Sequence, residues 1–168
     1  MHKIDNASTV FDKHQLALAM IEAGFRTSIV FIHTQLSKSL LRRLYREIHA
    51  QSPTPGLLAS SAYVLSSRKN QLYATLFMLI YAQLHKNNDN SVNIKLVIDA
   101  WDIFTILVPQ YMQFEIHPQN INEAWTLTRD FRCSSNYFVN CPKCGKQYLA
   151  CEGSRLARKC PFCNKAHP

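Results

Sequence analysis

Two short cysteine pairs govern what this chain can fold into. Cys141-Pro142-Lys143-Cys144 and Cys160-Pro161-Phe162-Cys163 are separated by the fifteen residues 145–159. Two residues between cysteines let a tight turn aim both sulfurs at one ion, and two such turns complete a tetrahedron. That closed site leaves no position for a substrate, so it holds a fold together and performs no chemistry. The expected ion is Zn²⁺, one per chain, bound by Cys141, Cys144, Cys160 and Cys163. An iron–thiolate centre built on similar Cys-Pro-x-Cys knuckles is the alternative. A thiol–disulfide centre is disfavoured because no βαβ pattern precedes either pair. Cys133 and Cys151 lack knuckle partners and read as small buried apolar residues.

The remainder of the 168 residues suffices for one domain with a full core. Hydrophobic residues make up 47% and charged residues 18%, a globular balance. Lys plus Arg number 19 against 11 Asp plus Glu, a net +8 that suits a polyanionic partner such as DNA or RNA and also serves solubility. The start, Met1 to Asn6, has no apolar run or cleavage signature. The longest apolar stretch, Leu72 to Leu84, is thirteen residues, too short to span a bilayer. A cytoplasmic protein without membrane association is therefore expected, its cysteines thiols and metal ligands rather than disulfides.

Periodicity predicts a mainly α fold, a helical domain over 1–132 followed by a small four-cysteine zinc-ribbon region over 133–168. Asp12 is placed as the cap of a first helix carrying Leu16 and Met20, which Gly24 ends. Phe25 to His33 forms a short second helix. Ser37 caps a third that runs to about Ala50, where Pro53, Pro55 and Gly56 stop it. Further helices are expected over Arg68 to His85, from a Ser91 cap through Val108, and over Pro118 to Phe131 with Pro118 in the first turn. Strand-like pieces, Tyr137 to Val139 and Gln147 to Ala150, flank the first knuckle.

The third helix invites a nucleic-acid reading. Lys38, Arg42 and Arg46 share one face at i, i+4, i+8, with Arg43 beside them, and Leu41, Leu44 and Ile48 share another. Preceded by a short helix and a four-residue break, the segment is helix-turn-helix-like, a motif whose second helix enters the major groove. Arginine suits that role because its fork meets phosphates or guanine edges at two points. The same face is also what any solvated surface helix presents. The ribbon adds Lys143, Lys146, Arg155, Arg158 and Lys159 as candidate DNA contacts, part of whose charge offsets four thiolates around a divalent ion. No nucleophile motif, phosphate-cradling glycine loop or paired carboxylate is found, so no enzyme is expected.

The run from Gln15 to Arg26 resembles the opening of the FlhC family of bacterial flagellar transcriptional activator subunits. The likeness continues through Thr34 to Ser37, Leu41 to Glu47, Ser52 to Leu58 and Ala124 to Phe131, and the four cysteines fall where that family's zinc ligands fall. The resemblance spans about residues 13–165. It implies a mostly helical protein with a C-terminal zinc site of four cysteines. It also implies assembly with an FlhD-like partner into a hetero-oligomer that binds double-stranded promoter DNA and recruits RNA polymerase to flagellar or related operons. Where the family usually has Pro-Phe or Pro-Ser and then Trp, this chain has Ala59-Ser60-Ser61-Ala62-Tyr63, which leaves room for a divergent paralogue. The competing function is a zinc-stabilised protein–protein assembly module without direct DNA readout.

Overall fold

Hydrophobic spacing at three and four residues produces helices along most of the chain, and the cysteine region folds as a hairpin. The computed structural model describes residues 7–85, 92–108, 118–154, 156 and 159–163. Its elements are α1 (Ala7–Glu22), α2 (Thr27–Thr34), α3 (Lys38–His49), α4 (Ser61–Val64), α5 (Arg68–Leu84), α6 (Ile94–Leu107), α7 (Ile121–Arg132), β1 (Asn136–Asn140) and β2 (Gln147–Cys151). They belong to two compact units, residues 1–57 and 58–168.

The first unit is three helices, each touching the other two. Its core is Ala17, Met20 and Ile21 of α1, Phe25, Ile29 and Val30 of the α2 region, and Leu41 and Tyr45 of α3. Asp12 is not the first cap: α1 begins at Ala7, so Asp12 lies exposed within the helix. Gly24 ends that helix with φ +87°, a conformation glycine adopts without a Cβ penalty. Ser37 does cap α3, accepting from the Leu40 N–H at 3.3 Å. The buried stripe of α3 is Leu41 and Tyr45, with Leu44 half-buried and Ile48 exposed. The expected Leu41, Leu44 and Ile48 stripe is thus rotated toward Tyr45, because the aromatic ring has more area to bury than Ile48. His49 reaches across to the Ile21 carbonyl at 2.8 Å, and its ring lies tilted against that of Tyr45 with centroids 4.5 Å apart.

The second unit is arranged around α5, which contacts α4, α6, α7 and β2. Ala74, Phe77, Met78 and Tyr81 are buried, with Phe77 edge-on to Phe104 of α6 at 5.8 Å. Asn93 caps α6, accepting from Leu96 N–H; the expected cap, Ser91, lies outside the described residues. Asn120 caps α7, so Pro118 precedes that helix and is not in its first turn. Ile121 and every residue from Glu123 to Thr128 are buried, so α7 is covered on more than one face.

β1 and β2 pair antiparallel in the register Asn136↔Cys151 to Asn140↔Gln147. The chain divides after Leu57, and the hairpin belongs with α4–α7 in the second compact unit. The reason is packing: Phe131 meets Phe138 edge-on at 5.3 Å, and Asn136 donates to the Leu127 carbonyl at 3.2 Å. Ser61 donates to Asp130 at 2.6 Å and accepts from Asn136 at 2.9 Å, joining α4, α7 and β1 in one buried network. Among the described residues, no helix is long and apolar enough to cross a membrane.

Candidate metal centre

The first cysteine pair is the turn of the β1–β2 hairpin. Cys141 follows β1 directly, and the Gly145 N–H donates back to the Cys141 carbonyl at 2.8 Å. Gly145 takes φ +70°, the left-handed conformation such a reversal needs. The Cys141 N–H bonds the Lys146 carbonyl at 2.9 Å, closing the loop before β2 begins. The second pair follows a loop and ends at Cys163. Lys146 of the first knuckle lies 5.1 Å from the Phe162 ring centroid of the second. Tyr148 and Ala150 of β2 pack with Cys141 and Cys160, and Val139 and Phe162 flank them.

These turns bring all four sulfurs within 4.8 Å of one another. Cys141 Sγ lies 3.6 Å from Cys163 Sγ, and Cys144 Sγ lies 3.7 Å from Cys160 Sγ. A tetrahedron with metal–sulfur bonds of about 2.3 Å has edges of about 3.8 Å. These two pairs thus stand at the separation one ion requires, well beyond disulfide bonding distance. An all-thiolate donor set suits a soft or borderline divalent ion.

Electrostatics favour a cation at the same point. Burial pushes the Cys141 thiol up, but the backbone N–H groups of Cys144 and Lys143 and the neighbouring thiols outweigh it, leaving it lowered to about 6. At Cys144 the Lys146 backbone favours the thiolate, yet burial and the three other sulfurs drive it to about 12. Four thiols crowded this closely resist ionising together, and a divalent ion removes that resistance.

α5 braces the cluster from one side with three residues in a row along its length. Arg68 Nε donates to the Pro161 carbonyl at 2.9 Å, and Nη2 to that of Phe162 at 3.4 Å, gripping the second knuckle. Gln71 Nε2 donates to the Leu149 carbonyl at 3.0 Å, and the Leu149 N–H donates to Thr75 Oγ1 at 2.9 Å. Leu149 pairs with Phe138 in the register but turns its own N–H and C=O toward α5, which satisfies the outer edge of β2. Sequence reasoning missed this brace. Its signal was Thr75, a polar residue inside the apolar run 72–84 and four residues after Gln71.

The two odd cysteines part company. Cys151 is buried, and burial, with Asp130 and Glu152 nearby, raises its thiol pKa. Cys133 is exposed, not buried as expected, because it occupies the C-cap of α7 beyond the apolar stripe.

The basic candidates fall in several settings. Lys38 is exposed over the Phe31 ring at 5.1 Å, and Arg42 and Arg46 are exposed on α3. Arg43 forms an exposed ion pair with Glu47 at 3.7 Å. Lys143, Lys146 and Lys159 are exposed on the ribbon, and Arg155 and Arg158 lie outside the described residues.

Residues 5–167 match the family described as Flagellar transcriptional activator (FlhC). The chain belongs to the FlhC family. Three relatives, each described as a flagellar transcriptional regulator FlhC, are 27% identical over 135 residues, or 80% of this chain. They come from Gallionella capsiferriformans (strain ES-2), Paraburkholderia atlantica and Serratia marcescens. The aligned region covers 73%, 61% and 69% of those relatives respectively. The FlhC family is one of transcriptional regulators, which is not an enzyme class, and the match takes in all four clustered cysteines.

Proposed function

We propose that this protein is the DNA-binding subunit of a transcriptional activator that works with an FlhD-like partner in the cytoplasm. Family membership carries this reading. In it, Cys141, Cys144, Cys160 and Cys163 hold one Zn²⁺, which supplies structure by pinning the knuckles and the β hairpin against α5. The excess of Lys and Arg meets promoter phosphates, with Lys38, Arg42 and Arg46 on α3 and Lys143, Lys146 and Lys159 on the ribbon as contact groups. Recruitment of RNA polymerase to flagellar or related operons follows once the hetero-oligomer is seated on DNA.

The test is co-expression with an FlhD-like protein, mass measurement of the product, and gel shifts at several salt concentrations. Binding should weaken with a log–log slope of about −0.9 per phosphate contacted. A complex that forms but shows no salt-dependent promoter binding counts against the DNA role. That outcome would favour an assembly module, a reading with its own support. On the second unit, Leu72, Leu76, Leu79 and Ile80 of α5 and Leu107 of α6 line an apolar groove of about 340 Å³.

A further inference from the structure

The first unit contains a cleft that the metal centre does not explain. It encloses about 600 Å³, within the range of pockets that take nucleotide-sized ligands. Three arginines from separate segments converge on it: Arg26 just before α2, and Arg42 and Arg46 one turn apart on α3. Ser28, Ser52 and Thr54 add hydroxyls, and no carboxylate is among the lining residues.

The walls are held in place. Arg26 Nη1 donates to the Leu57 carbonyl at 2.9 Å and the Gly56 carbonyl at 3.4 Å, tying the 52–57 segment to the start of α2. Pro53 and Pro55 stiffen that segment, and Arg46 Nε donates to the Arg42 carbonyl at 3.3 Å. The cleft also receives the N-terminal end of α2. That helix has no side-chain cap hydrogen bond and no acidic residue in its own first turn, so it brings its positive dipole end to the cleft. Ser28 and Arg42 are shared with a smaller adjoining pocket of about 160 Å³, which Lys38 also lines. Guanidinium forks, hydroxyl donors and a positive helix end together form a receptor for tetrahedral oxyanions. The run of basic groups from Arg46 through Arg42 to Lys38 suits a ligand with more than one phosphate.

We infer that this cleft is a phosphate-binding site, formed by Arg26, Arg42 and Arg46. The phosphate comes either from a nucleic-acid backbone, which rests on the DNA-binding reading above, or from a free phosphorylated small molecule, which does not.

The full-length protein with its metal is titrated with inorganic pyrophosphate, following the arginine Nε–H resonances by NMR. Saturable shifts in Arg26, Arg42 and Arg46 are expected. Arg42→Gln with Arg46→Gln should weaken binding by about tenfold or more. Lys69→Gln with Lys95→Gln, which removes equal charge elsewhere, should leave it unchanged, and circular dichroism checks that both variants fold. A short DNA duplex is then added as competitor. Displacement of pyrophosphate assigns the site to backbone phosphate. Binding without displacement supports the site, assigns it to a small phosphorylated ligand and removes this cleft from the DNA interface. Absence of saturable shifts overturns the inference, even if DNA binds elsewhere on the protein. Equal weakening in both charge-removal variants overturns it too, since net charge alone would then explain the binding.

Discussion

Replacing Thr75 by Val tests whether α5 holds the cysteine hairpin in place. The two side chains have nearly the same shape, and their helix propensities are close. Thr75 is fully buried, and its Oγ1 accepts the Leu149 N–H at 2.9 Å. Valine leaves that amide buried with no acceptor, which costs about 1–3 kcal/mol. A loss of about 2 kcal/mol corresponds to roughly a thirtyfold change in an equilibrium constant. Two measurements should report it. The Leu149 amide should exchange with solvent about thirtyfold faster. Urea unfolding of the second unit should shift by the same free energy at constant slope. Thr75→Ser separates polarity from packing: it keeps the oxygen and loses one methyl, for about 0.8 kcal/mol, and should leave Leu149 protected. If Thr75→Val unfolds like the parent protein and Leu149 exchange is unaltered, the edge of β2 does not depend on α5 and the reasoning fails.

Other outcomes follow from the same geometry. Cys141→Ala or Cys160→Ala should abolish stoichiometric metal binding, read by elemental analysis, while circular dichroism keeps most of the helical signal; full metal content in either variant refutes the ligand assignment. Arg68→Ala should weaken metal affinity in a chelator competition by about fivefold, the worth of about 1 kcal/mol in hydrogen bonding to the second knuckle, with partial recovery in Arg68→Lys. Metal affinity should fall with acid, because binding needs thiolates and acid supplies the competing protons. Cys141 is lowered to about 6 and Cys144 raised to about 12, so below about pH 6 binding must displace a proton from each of these two. The apparent affinity should then drop more steeply than about tenfold per pH unit, and a flat profile between about pH 8 and 5 would contradict thiolate ligation.

Much of the helical order was legible in the chain itself. Ser37 as a cap and Gly24 as a stop followed from local rules, since capping and turn chemistry act within one or two turns. Where local cues competed, they failed. Asp12 looked like a cap but lies inside α1, and Ile48 fitted the apolar stripe of α3 but is displaced by Tyr45. Cys133 shows the same limit: its residue type favours burial, but its position at the end of α7 exposes it.

The residue spacing of 141–144 and 160–163 alone determined that two knuckles would form, because each knuckle is a turn of a few residues. That the two knuckles meet, with sulfurs 3.6–3.7 Å apart across the pairs, is a tertiary result. It depends on β2 lying along α5, and on Arg68, Gln71 and Thr75 bonding backbone groups at Leu149, Pro161 and Phe162, some 74–94 residues away. The convergence of Arg26 with Arg42 and Arg46 is likewise invisible until α2 and α3 pack. Local sequence dictates dihedral angles and turn chemistry; partners distant along the chain are chosen by burial and hydrogen-bond satisfaction, which exist only once the chain has folded.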